Sequence, residues 1–255
     1  MTKVAITGAA GNIGSRLVAD LASDHDVVAI DIRNAEHIVD CSQDREGLVQ
    51  LFKGCETVVH LAGNGDNEGP WEDMFHGHIG GTYNAFEAAR LAGVKRVVYP
   101  SSNHAVGEYE VDAPKPQIYE PGYGVVLDNR VPVRPDSPYG AAKVFGEALG
   151  RFYSDRFGLQ VACLRIGSIT RNDKPVDPQD GGTSGYLGLA PEMKPKRLLS
   201  TWCSHADFHR LIRAIMARDV PYGIVYVVGD NPTRQWDLEA GRALYGWWPV
   251  DGSAR

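Results

Sequence analysis

Tyr139 and Lys143 stand four residues apart in Pro138-Tyr139-Gly140-Ala141-Ala142-Lys143, where a helical pattern begins that runs to about Phe157. Residues four apart on a helix share a face, so this spacing can put a phenol and an ammonium in one pocket. A free phenol, with a pKa of about 10, is a poor base at neutral pH. A fixed cation one turn away, and the positive end of a helix, both favour the phenolate. Lowering the pKa by roughly three units takes about 4 kcal/mol of differential stabilisation, which a partly desolvated cleft can supply. Such a phenolate could take the proton of an alcohol as hydride leaves the same carbon. Pairs at this spacing are common and usually solvated, so the spacing alone favours two surface side chains, and the residues upstream reverse that reading.

Lys3-Val4-Ala5-Ile6-Thr7 reads as a buried strand that runs directly into Gly8-Ala9-Ala10-Gly11-Asn12-Ile13-Gly14, with a helical pattern following through Leu17, Val18 and Leu21. Glycines at this spacing allow a tight turn, close approach of backbone to a pyrophosphate, and close packing of helix on strand. The helix start offers free N–H groups to phosphate, which makes Gly8, Gly11, Asn12, Ile13 and Gly14 candidate cofactor contacts. A second strand, Asp26 to Asp31, ends in the carboxylate that a dinucleotide fold uses for the adenosine ribose. A carboxylate there repels the 2′-phosphate of NADP, so NAD is the expected cofactor, although Arg33 could serve such a phosphate. Val39-Asp40-Cys41 is read as closing the third short strand, with Asp40 and Cys41 near the adenine unless Asp40 caps a helix. Thr57 to Gly63 is the fourth strand, and its small terminal residues, with Leu61, Ala62 and Gly63, would let the cofactor pass.

Pro70 to about Ala92 reads as one long helix whose Trp71, Phe75, Tyr83 and Phe86 suit core or subunit contact. The fifth strand, Arg96 to Ser101, delivers Ser102, Asn103 and His104 at its carboxyl end, the edge where open α/β sheets hold ligands. With Tyr139 predicted at the same edge, Ser102 becomes a third catalytic candidate. Val161 to Ile166 is the sixth strand. Strands alternating with helical patterns from residue 3 to about 166 predict an α/β fold, a Rossmann doubly wound parallel sheet with a small C-terminal substrate-binding region. The expected division is 1–166 for NAD and 167–255 for substrate, packed on the same domain. Two stretches rich in Gly and Pro interrupt the pattern, at 108–135 and 170–195, and 171–195 has the texture of a lid loop. His205 to Ala217 reads as helix, Gly223 to Val228 as strand, and Asp237 to Leu244 as a last short helix.

The chain has 255 residues, 43% of them apolar and 23% charged, enough for one medium domain with a substantial core. A net charge of −6 weighs against nucleic-acid or anionic-membrane partners. Cys41, Cys55, Cys163 and Cys203 share no metal-ligand spacing and read as reduced, buried thiols, which suits the cytoplasm. The N-terminus enters a strand pattern with no signal peptide, and no apolar run has the length of a membrane span. His205 and His209 have the spacing of a zinc helix but lack the glutamate after the first histidine, and the chemistry proposed needs no metal. Val144, Phe145, Ala148, Leu149, Phe152 and Tyr153 give the helix after Tyr139 more apolar faces than one sheet covers, so a homo-oligomer is expected, a dimer at least.

Taken in order, Gly8, Gly11, Gly14, Asp31, Ser102, Tyr139 and Lys143 resemble the extended short-chain dehydrogenase/reductase superfamily of NAD-dependent epimerases and dehydratases. The stretch after Lys143 is short for a nucleotide-sugar epimerase, so a small substrate is expected. Ser101-Ser102-Asn103-His104-Ala105-Val106-Gly107, Arg134-Pro135-Asp136-Ser137, Arg165-Ile166-Gly167-Ser168 and Arg197-Leu198-Leu199-Ser200-Thr201-Trp202 resemble the uronate dehydrogenases. That resemblance covers residue 3 to about 248, and implies NAD-dependent oxidation of the C1 hydroxyl of an anionic hexose, a hexuronate such as glucuronate or galacturonate, to its lactone. It implies Tyr139 as base, Lys143 as electrostatic partner and ribose anchor, and Ser102 as the donor that holds the reacting oxygen. Asn103 and His104 would bond sugar hydroxyls, Ile166 and Ser168 would line the nicotinamide pocket, and Arg197 would grip the substrate carboxylate. Gly65 stands where that family has a substrate-contacting serine, and His78 where it has asparagine. Tyr119-Glu120-Pro121-Gly122-Tyr123-Gly124 instead resembles the archaeal NAD-dependent glucose-6-phosphate dehydrogenases. Lys194, Lys196 and Arg197 could serve a carboxylate, phosphate or sulfonate. The alternative functions are therefore another aldose 1-dehydrogenase, including one for glucose 6-phosphate, and a non-catalytic NAD-sensing regulator.

Overall fold

Short runs rich in Val and Ile form the strands, as suits a parallel sheet covered on both faces. In the computed structural model, which describes residues 1–66, 69–124, 127–176 and 189–254, these are β1 (Lys3–Thr7), β2 (Asp26–Asp31), β3 (His37–Ile38), β4 (Thr57–His60), β5 (Arg96–Tyr99), β6 (Gln160–Ile166) and β7 (Tyr222–Val227). They form one sheet in the order β3-β2-β1-β4-β5-β6-β7, and every pairing is parallel. The chain moves outward from β1 to β3, then returns to place β4 on the other side of β1. The loops leaving β1 and β4 therefore diverge and open a crevice at the carboxyl edge. This is the Rossmann doubly wound sheet expected from the alternation of patterns.

The helices are α1 (Asn12–Leu21), α2 (Arg45–Phe52), α3 (Trp71–Asp73), α4 (Gly81–Ala92), α5 (Glu108–Asp112), α6 (Pro138–Phe157), α7 (Lys194–Thr201), α8 (His205–Met216) and α9 (Glu239–Tyr245). On one face of the sheet α1 and α8 bury Leu17, Leu21, Phe208, Leu211 and Ile212. On the other, α2, α4 and α6 bury Leu48, Phe52, Phe86 and Tyr153. Residues after 167 supply the edge strand β7 as well as α8, so they share the sheet and its core. No helix among the described residues is long and apolar enough to cross a membrane.

Four local expectations are corrected. The third strand, His37–Ile38, closes before Val39 rather than at Val39 to Cys41, because its partner β2 ends at Asp31. Asp40 then turns the chain by accepting from the Ser42 N–H and hydroxyl at 2.8 and 2.7 Å, while Asp44 caps α2. The long helix at 70–92 is α3 and α4 joined through a π-helical segment, Met74–Gly80. The irregular stretch at 108–135 contains α5 and a 3-10 turn at Gln117–Tyr119. Of the expected lid at 171–195, residues 177–188 lie outside those described, and its end is structured, with a 3-10 turn at Pro191–Met193 leading into α7.

A buried charge pair joins the elements that carry the site. Arg165 of β6 forks onto Glu147 of α6, with Nε–Oε1 at 2.8 Å and Nη2–Oε2 at 2.9 Å. Ser101 donates to the same carboxylate at 2.6 Å, and Arg165 also donates to the Tyr226 hydroxyl at 3.1 Å. The ends of β5 and β6 are thereby fixed against α6, directly below its first turns.

Candidate active site

The crevice begins at the glycine turn. Gly8 has φ of +73°, in the left-handed region, and a Cβ there would come within 2.5 Å of the Leu61 carbonyl carbon. A Cβ on Gly14 would overlap the Gly8 carbonyl. No side chain caps α1, whose N-cap is Gly11, so its first N–H groups stay available for an anion. Asn12 ties this helix start to the far wall by donating to the Ile169 carbonyl at 2.9 Å. Asp31 is held at the crevice by the Ala10 N–H at 2.9 Å, in a cleft shared with Asp40, Cys41, Gly8 and Gly11. Burial pushes the Cys41 thiol up to about 12, so it is an unreactive wall. Leu61, Ala62, Gly63 and Gly65 line both this cleft and the adjoining one, which makes the two continuous. Backbone, free helix N–H groups and a carboxylate are thus arranged as NAD requires.

The adjoining cleft, of about 540 Å³, is lined by Gly8, Gly11, Asn12, Ile13 and Gly14 of the glycine turn together with Ser102, Tyr139, Lys143, Ile166 and Ser168. Tyr139 lies in the first turn of α6, which Ser137 caps by accepting from the Gly140 N–H at 3.1 Å. The 3-10 segment Asn103–Val106 docks on this helix start so closely that a Cβ on Gly140 would overlap the His104 carbonyl. That contact brings Ser102 to Tyr139. The Ser102 hydroxyl also accepts from the His104 N–H at 3.2 Å. Ser168 is bound to Thr201, hydroxyl to hydroxyl, at 2.8 Å.

Lys143 Nζ lies 5.1 Å from the centre of the Tyr139 ring and 5.5 Å from that of Tyr99. It is buried, yet its ammonium makes no hydrogen bond among the described residues. Burial is the dominant influence on both groups, pulling Lys143 down to about 7 and pushing Tyr139 up to about 12, with the Ser102 hydroxyl pulling the phenol back. The lowered phenol expected from the helical spacing is therefore not what the structure shows: desolvation raises the phenol, and only the Ser102 hydroxyl opposes it. His60 and His78 are each held neutral, lowered to about 3 by burial and then by the charge of Lys143.

The substrate wall differs from expectation. Gly65 lines the cleft, and a Cβ there would meet open space. Asn103 and His104 are buried and are not among the lining residues. His104 Nδ1 is 2.7 Å from Asp136, and its ring stands edge-on to Tyr139 at 5.9 Å. Arg197, expected to present its guanidinium to the substrate, is only 2% exposed. Its Nε and Nη2 bond Glu110 of α5 at 2.8 and 3.2 Å. Of the adjacent lysines, Lys196 pairs with Glu120 at 2.6 Å, and neither lines the cleft.

Several lining residues, among them Asp66, His78, Ile169, Arg171 and Leu198, are not among the site candidates that the sequence offers. Arg171 and Ile169 border the cleft at the glycine turn, where the Arg171 carbonyl accepts from Arg16. An arginine shortly after the sixth strand is the only signal for the first of them. His78 reaches the cleft from the π-helical segment, which no periodicity reveals.

Residues 4–170 match the NAD dependent epimerase/dehydratase family. L-arabinose 1-dehydrogenase (NAD(P)(+)) of Haloferax volcanii is 36% identical to this chain, covering 100% of it and 98% of that protein. The NAD-dependent glucose-6-phosphate dehydrogenase of the same organism is 30% identical over 98% of this chain and 94% of its own. Among solved structures, a mutant of uronate dehydrogenase from Agrobacterium tumefaciens, complexed with NAD, superposes with a TM-score of 0.78 at 32% identity, covering 100% of this chain and 86% of that one.

Proposed function

The chain belongs to the NAD-dependent epimerase/dehydratase family, as an NAD-dependent sugar dehydrogenase of the uronate dehydrogenase branch, and we propose that it oxidises the C1 hydroxyl of an aldose to the lactone with Tyr139 as base. The observation that carries this reading is that Ser102, Tyr139 and Lys143 line the same cleft as the glycine turn. Bound NAD+ supplies the hydride acceptor. Tyr139 takes the hydroxyl proton while the C1–H bond gives up hydride and the C1–O bond becomes a carbonyl. Ser102 donates to that oxygen and stabilises the charge developing on it. Lys143, with its donors uncommitted, suits a ribose diol, and its positive charge favours the phenolate form of Tyr139. Residues up to 166 would hold the dinucleotide, and those from 167 on would wall the sugar.

The resemblance noted in the sequence suggests a hexuronate, while the relatives' names extend from uronates to L-arabinose and glucose 6-phosphate. C1 oxidation of a monosaccharide is what these readings have in common. Purified protein given NAD+ and a panel of aldoses is expected to release NADH in proportion to sugar consumed. An epimerase that retains its cofactor would convert sugar with no free NADH. A regulator would bind NAD+ and oxidise nothing, and either outcome would overturn the proposal.

A further inference from the structure

We propose that the ion pair between Glu110 and Arg197 makes this cleft a site for an uncharged aldose and closes it to hexuronates; the inference rests on the dehydrogenase reading above. Recognition of a sugar carboxylate needs a cation with an uncommitted pair of donors, and the guanidinium fork is the side chain suited to it. Arg197 is a buried guanidinium on this side of the molecule, next in sequence to the lining residue Leu198. Glu110 already occupies its Nε–Nη2 edge in a bidentate pair. Tyr119 completes the arrangement by donating its hydroxyl to Glu110 Oε1 at 2.6 Å. A substrate carboxylate would have to displace Glu110, leaving that carboxylate buried and unpaired, or lie beside it against a like charge.

The neighbouring groups do not restore a positive field. Behind Tyr139, the buried ionisable side chains run from His104 to Asp136, Arg197 and Glu110. The two carboxylates of Asp136 and Glu110 face the one guanidinium of Arg197, so this group offers no excess of positive charge to an anion. The remaining lining cations stand elsewhere: Lys143 lies over the Tyr99 and Tyr139 rings, and Arg171 lies by the glycine turn. With the Arg197 fork taken up by Glu110, the carboxylates and hydroxyls on this side are suited to accepting hydrogen bonds from neutral sugar hydroxyls.

The test is steady-state NADH formation by the wild-type protein with L-arabinose, D-xylose and D-glucose against D-glucuronate and D-galacturonate. The best neutral sugar is expected to exceed both uronates in kcat/KM by about a hundredfold, the discrimination that a buried like-charge encounter imposes. Glu110→Gln keeps the shape and removes the charge, so it should move the ratio of uronate to neutral-sugar kcat/KM at least about tenfold toward the uronates. A purely structural tie would instead lower both substrate classes together. Should that variant fail to fold, inhibition decides: glucuronate is expected not to compete with the preferred neutral sugar in the wild type. A uronate that is the better substrate, competition by glucuronate as tight as the neutral sugar itself, or an unchanged ratio in a folded Glu110→Gln protein would overturn the inference while leaving the dehydrogenase reading intact. Failure of every aldose to reduce NAD+ would overturn both.

Discussion

His78 stands edge-on to Tyr139, with 5.3 Å between ring centres, and its Nε2 lies 2.7 Å from the Asn64 carbonyl oxygen. A carbonyl can only accept, so Nε2 carries the hydrogen and Nδ1 keeps a lone pair. Burial, with the charge of Lys143, lowers this imidazole to about 3, so it stays neutral through the working pH range. It also fills the space next to Gly63, where a Cβ would come within 2.7 Å of the ring. His78 thus sets the position of the phenol rather than exchanging protons. His78→Ala is expected to cut kcat by about 10²-fold through misplacement of Tyr139, with NAD+ affinity nearly unchanged. The pH–rate profile of the wild type should show no histidine step attributable to this ring; comparing the profiles of wild type and His78→Asn checks that.

Lys143 gives the protein a characteristic pH dependence of stability. Its folded pKa, about 7, is below the 10.5 of an ordinary lysine, so between those values the unfolded chain holds more protons than the folded one. Stability from this group therefore rises as pH increases through that window, and below it the buried ammonium costs the fold on the order of a few kcal/mol. Thermal midpoints of the cofactor-free protein at about pH 6 and pH 9 should differ in that direction, and Lys143→Met should flatten the difference and raise the lower midpoint. An unaltered slope in that variant would assign the effect to other groups.

The Glu147–Arg165 pair is expected to be costly to break and cheap to replace. Glu147→Gln strands a buried guanidinium that is 1% exposed and should lower stability by about 3–5 kcal/mol. Replacing both partners with Met should recover most of that loss, as read by urea denaturation, because no charge is left unpaired. Equal instability of the single and double variants would mean that the pair contributes through shape alone.

The self-association expected from the helix after Tyr139 has a definite surface. Phe152 and Phe157 of that region are 51% and 50% exposed and contact each other at 5.7 Å, with Leu91 of α4 exposed as well. An apolar patch of this kind is a common mark of an interface. Light scattering is expected to give at least twice the chain mass of 27.8 kDa, with Phe152→Glu shifting the population toward monomer. Monomer mass at every concentration would contradict this.

Much of this architecture is readable in the primary structure, for physical reasons. Parallel strands buried on both faces leave short Val- and Ile-rich runs, and helices between them leave a 3.6-residue period, so the topology follows and with it the shared edge of Ser102 and Tyr139. The glycine turn and Asp31 are readable because backbone approach and a ribose diol each demand a particular residue type. Arg197 is the opposite case. Its partner Glu110 lies in a stretch rich in Gly and Pro, where no periodicity tells which way a carboxylate points. His78 is legible as a departure from the family's asparagine, but its edge-on contact with Tyr139 is not, because a π-helical segment shifts the register that an α-helical reading assumes. The phenol pKa was misjudged because helical spacing reports proximity to Lys143 but not the burial of both groups.

The central claim is that the Tyr139 phenol moves the proton. Measuring NADH release and NAD+ affinity side by side for Tyr139→Phe tests it most directly, since the substitution removes one hydroxyl and leaves the ring against His78 and His104. Turnover is expected to fall by about 10³-fold with NAD+ bound as tightly as by the wild type. Turnover within a few-fold of wild type would show that another group takes the proton, and would contradict the account.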